Sequence, residues 1–82
     1  MLKIKERYNR EVLLCVLKDT LEGARLINAA LYQADLHQIR LAHADLQGAN
    51  LGGATLTGAL YDTRTRCPDS FAPQRHGAVM LR

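Results

Sequence analysis

The residues of this 82-residue chain that could carry chemistry are three histidines, two cysteines and a scatter of carboxylates. His37 and His43 lie close together with Asp35 and Asp45 beside them, a grouping that raises two options: a metal centre, or paired carboxylates working as general acid and base. Zinc requires convergent imidazole, thiolate or carboxylate ligands. Cys15 and Cys67 stand far apart at no metal or redox spacing, so both are read as reduced, with one or both buried. His76, beside Arg75, reads as a surface residue. No nucleophile stands next to a base, no glycine-rich phosphate loop is present, and no second domain is available to form a cleft. No catalytic, metal or cofactor residue is therefore assigned.

Whatever these side chains do is set by the stretch that carries them. From Ala24 to Thr63 leucine recurs at 26, 31, 36, 41, 46, 51 and 56, and Tyr61 takes the next place. Two residues before each stands a small apolar residue, at Ala24, Ala29, Ala34, Ala44, Ala49, Ala54 and Ala59, interrupted only by Ile39. A step of five advances about 140° on a helix and spreads the leucines over every face. On a flat strand it reverses the side each time and puts half of them in water. Alanine and leucine are two apart, however, and share a side in an extended piece, so the next three residues must turn the chain. Repeated corners at equal spacing predict a solenoid.

Ala34-Asp35-Leu36, Ala44-Asp45-Leu46 and Ala49-Asn50-Leu51 carry the pattern A-(D/N)-L-x-x, and in this the run resembles the pentapeptide repeat family. The resemblance implies an all-β fold, a right-handed quadrilateral β-helix with four units per coil and about two coils. Alanine and leucine would point inward and the other three positions outward. Residues twenty apart then stack at roughly 4.8 Å, placing Leu26 over Leu46, Leu31 over Leu51, Leu36 over Leu56 and Leu41 over Tyr61. In that register His37 and His43 occupy outer positions of adjacent faces and point apart, and Asp35 and Asp45 lie on different walls. Arg25 falls over Asp45 as a weak surface pair. Ile39, over Ala59, should crowd the core and mark the local departure from a regular square.

Glycine accepts the positive φ of tight corners, and Gly48, Gly53 and Gly58 end units of the second coil. The first coil carries Asn28, Gln33, Gln38 and His43 instead, so the second is expected to be the more regular. Ile27, Tyr32 and Leu60 fall on outward positions, and packing against the chain's own caps is the expected use of them.

The flanks complete a single domain: residues 1–23 as an N-terminal cap, 24–63 as repeats, 64–82 as a C-terminal cap. Leu2, Ile4 and Tyr8 alternate with Lys3, Lys5 and Arg7 as in a strand; Asn9-Arg10 could turn, and Glu11 to Lys18 could return. A Tyr-x-x-Glu-Val hairpin before the repeat is frequent in the resembled family, which favours β; an amphipathic helix from Lys5 to Lys18 is the alternative. Thr20-Leu21-Glu22-Gly23 reads as a degenerate unit. After Tyr61, Cys67-Pro68-Asp69 marks a turn, and Ala72 to Gly77 one helical turn with Pro73 at its start and Gly77 at its end. The tail is similar to the closing segment of small cyanobacterial pentapeptide proteins, with Cys67 where an aromatic residue is commoner. Phe71 and Val79 are expected to close the last coil.

The composition, 48% apolar and 23% charged, is ordinary for a globular protein. The run Val12 to Leu17 is short, flanked by charge and lacks a cleavage site, and nothing reaches membrane-spanning length. A cytoplasmic protein is the expectation. The net charge of +3 divides into +1 for residues 1–23, −1 for 24–63 and +3 for 64–82. The leading reading is a non-enzymatic structural or protein-interaction module without cofactor. One alternative is a DNA mimic that binds a topoisomerase, for which a short, near-neutral wall is poorly suited. The other is weak nucleic-acid binding through Arg64, Arg66, Arg75 and Arg82, with no motif or interleaved aromatics to support it. Two coils leave open strand edges, so a homodimer is expected, with Leu2, Ile4, Val12, Leu14 and Val16 as its interface.

Overall fold

A small residue and a leucine on one side of the chain, followed by two residues that must reverse it, impose a corner every five residues. The computed structural model, which describes residues 1–81, has that corner eight times in succession. Gly23, Asn28, Gln33, Gln38, His43, Gly48, Gly53 and Gly58 all have left-handed backbone, with φ between 58° and 74°. At each corner the N–H of the following small residue donates to the C=O of the preceding leucine, at 2.9–3.1 Å from Leu21–Ala24 through Leu56–Ala59 and 3.3 Å at Leu36–Ile39. Positive φ only at the third residue of such a turn is the type II pattern. The first-layer corners therefore have the same conformation as the glycine corners, although glutamine and histidine occupy that region at a cost.

Between corners the chain pairs with itself twenty residues on. Parallel bridges join Arg25 to Asp45, Ala30 to Asn50, Asp35 to Thr55 and Arg40 to Leu60, and a further one joins Asp45 to Arg66. Each is made by flanking groups: the Leu26 N–H donates to the Asp45 C=O at 2.7 Å, and the Asp45 N–H to the Ala24 C=O at 2.8 Å. The fold is β-rich and strand-dominated, with one short 3-10 turn and no α-helix among the described residues. Leu26, Leu31, Leu36, Leu41, Leu46, Leu51, Leu56 and Tyr61 are buried, as are Ala34, Ala44, Ala49, Ala54 and Ala59. Leu21 and Ala78 join this core from the flanks. Ala24 and Ala29 are only half-buried, because no strand covers their walls on the N-terminal side. Ile39 is half-buried as well and packs on the core. Its turn bond to Leu36 is the longest of the eight, and the Leu60 N–H still donates to the Ile39 C=O at 2.8 Å.

The N-terminal segment is a hairpin. Strand β1, Leu2–Lys5, pairs antiparallel with β2, Val12–Val16, placing Leu2 opposite Val16 and Ile4 opposite Leu14. An irregularity between Ile4 and Lys5 breaks the alternation, which leaves Tyr8 exposed instead of on the face of Ile4. The reversal is also longer than Asn9-Arg10: the Glu6 N–H donates to the Glu11 C=O, enclosing four residues, with Arg10 left-handed at φ 64°. The hairpin covers part of the first layer through an antiparallel bridge from Glu6 to Ala34. The Asp35 N–H donates to the Lys5 C=O and the Arg7 N–H to the Gln33 C=O, both at 2.8 Å.

At the other end β3, Leu60–Tyr61, pairs in parallel with β4, Val79–Met80. Pro73–His76 form the 3-10 turn, closed by Gly77 at φ 90°. A side chain at Gly77 would meet the Thr57 backbone at 3.1 Å, so glycine serves both the turn and the close approach. Phe71 is half-buried on the core and stacks on His76 at 4.6 Å between ring centroids. Val79, expected to close the end, is 52% exposed, and Ala78 is buried in its place. The alternation of β4 puts Ala78 and Val79 on opposite sides, so only one of them can face inward.

Candidate interaction surface

Aspartate or asparagine in the second position of a unit has a local task. Its side-chain oxygen accepts the N–H two residues on, from Asp35 to His37, Asp45 to Gln47 and Asn50 to Gly52. This satisfies a backbone donor that the corner would otherwise leave to solvent. Asp35 also takes the Arg10 guanidinium at 3.0 Å and the His37 ring. The His37 hydrogen bond, helped by Arg10 and opposed by partial burial, lowers its carboxyl to about 2. Asp35 is thus the anchor that ties the hairpin loop to the repeat. At the far end Asp62 loses some solvation, but it accepts from the His43 N–H, the Thr65 hydroxyl and the Arg64 N–H, and its pKa falls. The His43 ring reaches the same carboxylate at 3.0 Å.

His37 and His43 consequently have different partners, and among the described residues no three histidine, cysteine, aspartate or glutamate groups are placed to hold a metal ion. Arg25 and Asp45 are bridge partners only through the bonds that Ala24 and Leu26 make to Asp45, and they form no ion pair; Arg40 instead meets Glu22 at 2.9 Å. Cys15 is exposed and Cys67 half-buried, so neither is a core residue, and burial pushes the Cys67 thiol up. Arg64, Arg66 and Arg75 lie on the C-terminal flank, and Arg82 falls outside the described residues. No described helix is long and apolar enough to cross a membrane.

The apolar surface is the more informative feature. Ile27 and Tyr32 are 46% and 55% exposed, so the caps do not cover them; the Tyr32 ring lies against Gly52, where a Cβ would stand 3.1 Å from it. Leu60 is half-buried in β3. Of the residues read as an interface, Ile4 is 1% exposed within the chain's own core and unavailable to a second chain. Leu2, Leu14 and Val16 are half-buried against that core, and Val12 is exposed. Leu17, at 87% exposed, was not singled out by alternation because it follows the last paired residue of β2. It lines a groove of about 440 Å³ between β2 and the first layer, together with Leu14, Val16, Ala24 and Leu26. A smaller polar hollow, about 350 Å³, is lined by Gln47, Gly48, Cys67 and Asp69.

Comparison with curated proteins found no match, and comparison with solved structures found none. The family model for pentapeptide repeats matches residues 21–59 in eight copies, the same span over which the eight left-handed corners recur. Residues 21–59, then, are a run of pentapeptide repeats.

Proposed function

We propose that this chain is a non-enzymatic structural and protein-interaction module of the cytoplasm. Its repeats coil as a right-handed quadrilateral β-helix of about two coils whose walls are presented to a protein partner or to a second copy. The observation that carries this reading is the uninterrupted corner series from Gly23 to Gly58. Eight identical turns build straight walls around a filled leucine interior and leave no room there for substrate or cofactor. Carboxylates and histidines that could have done chemistry are spent on turn N–H groups and on neighbouring charges.

A homodimer is part of the proposal. Ile4 is withdrawn into the chain's own core, and the face we assign to the dimer is the C-terminal edge strand, where Val79 and Met80 are 52% and 48% exposed. Light scattering at micromolar concentration should give twice the chain mass, and Met80→Lys should return it to one chain. A monomer at all concentrations would remove the self-association half. For a foreign partner, a photo-crosslinking residue at Tyr32 or Leu17 should capture one protein reproducibly in the source cells. Absence of any capture from every exposed face would remove the other half.

A further inference from the structure

In a parallel bridge the bonded groups belong to the neighbours of one residue, and that residue's own N–H and C=O point the other way. At Arg25 and Ala30 the pairing with the second layer uses Ala24, Leu26, Ala29 and Leu31. The N–H and C=O of Arg25 and Ala30 are therefore directed to the N-terminal side, and among the described residues they have no protein partner. At the equivalent Asp35 the N–H is taken by the Lys5 C=O, and the bridge from Glu6 to Ala34 runs antiparallel alongside. The chain thus shows what this edge accepts, an extended strand, and supplies it to one wall only. Burial records the difference: Ala34 is 0% exposed beneath the strand, whereas Ala24 and Ala29 are half-buried.

The apolar groove of Leu14, Val16, Leu17, Ala24 and Leu26 opens beside the uncovered Arg25 edge. Its rim carries Lys18, Glu22 and Arg25. Glu22 is neutralised by Arg40, and nearby Asp19 by the N-terminal amine at 2.8 Å, whereas Lys18 and Arg25 take part in no ion pair among the described residues. What remains is an open β-edge, an apolar floor and two uncompensated positive charges.

We infer that this N-terminal edge is a docking site for a partner protein's extended acidic segment, which adds as a short strand at Arg25, seats an apolar side chain beside Leu17 and places a carboxylate near Lys18 and Arg25. Main-chain hydrogen bonds hold such a strand and the groove selects its alternate side chains. The chain's own strand already lies along the neighbouring wall at Ala34 and Asp35, and the added strand would lie beside it. The inference rests on the interaction-module reading and specifies its partner.

The test uses the full chain with fluorescein-labelled peptides of alternating valine and glutamate, alternating valine and lysine, and the valine-glutamate sequence N-methylated on alternate residues. The valine-glutamate peptide should bind, with at least tenfold weaker binding for each of the other two. Leu17→Asp and Arg25→Glu, both at exposed positions, should each weaken it at least tenfold with unchanged melting temperature. In amide exchange, Arg25 and Ala30 should exchange rapidly in the free chain, and Arg25 should become protected with peptide. No binding at millimolar peptide, equal binding of the three peptides, or binding indifferent to both substitutions overturns the inference. So does a homodimer that Leu17→Asp dissociates, since a second copy then occupies the groove. A partner captured at Tyr32 and retained by both variants would leave the module reading standing while this site falls; no partner on any face would end both.

Discussion

Replacing Gly48 by alanine tests the corner on which the whole repeat depends. Gly48 has φ 72°, and an alanine held there is strained by about 1 to 2 kcal/mol. Removing glycine's freedom in the unfolded chain returns about 0.4 to 1 kcal/mol. The new methyl would collide with Asn28 Oδ1 and stand 3.2 Å from its Cγ, so the asparagine must swing away from the corner it overlies. Giving up that packing costs about another 0.5 to 1 kcal/mol, for a net loss of about 1 to 2 kcal/mol. In a domain of this size the melting temperature falls by about 4–8 °C per kcal/mol. Urea and thermal unfolding followed by far-ultraviolet circular dichroism are suitable, because the chain has no tryptophan. A double-mutant cycle separates the two causes. In an Asn28→Gly background the collision is gone, and Gly48→Ala should cost about 0.5 to 1 kcal/mol less than in the native chain. Gln38→Gly, at φ 59°, should stabilise by up to about 0.5 kcal/mol, since relief of strain slightly exceeds the entropy lost. A neutral or stabilising Gly48→Ala, or additive effects in the cycle, would refute left-handed corners packed one over another.

Aspartate at Leu36 or Leu51, which are 0% and 4% exposed, should unfold the protein because a buried charge finds no partner there, whereas Gln47→Asp should leave the melt within a few degrees. Asp35 has its pKa lowered to about 2, so its contribution to stability is present above the ordinary aspartate value near 4 and is lost as pH falls through about 2. Asp35→Asn should accordingly be less stable than the native chain at neutral pH, with the difference closing between about pH 4 and 2; a constant difference across that range would show that Asp35 is not held ionised by Arg10 and His37. Exposed Cys15 should be alkylated by iodoacetamide well before Cys67, whose thiol is half-buried and pushed up, and peptide mapping of the modified chain reads the order directly. Phe71→Ala should loosen the C-terminal flank by about 2 to 3 kcal/mol, less than a fully buried phenylalanine costs, and speed exchange of the Val79 amide before that of Leu46.

Much of the repeat is legible residue by residue because its period is local. Leucine and alanine two apart must share a side, and the two residues after each leucine must then turn the chain, so inward positions from Ala34 to Ala59 follow from spacing alone. Gly48, Gly53 and Gly58 announce left-handed corners for the same reason. Asn28, Gln33, Gln38 and His43 do not, yet adopt the same backbone, because pairing twenty residues away forces each corner of one layer to match the next. The helical turn between Pro73 and Gly77 was readable from the rigid φ of one and the free φ of the other.

What lies outside the period was decided by tertiary contact. No local rule says that Arg10 and His37 converge on Asp35, or that His43 finds Asp62, since each pairing depends on how the flanks are laid across the repeat. Alternation alone does not say whether Ile4 or Val12 meets the core: the irregularity after Ile4 shifts the register and leaves Ile4 inside and Val12 out. The same holds for Ala78 and Val79, where the small closing residue goes in because Gly77 already lies against Thr57. A five-residue pattern specifies its own corner and its own inward face; which walls are covered, and which edge at Arg25 is left open, depends on segments that do not repeat.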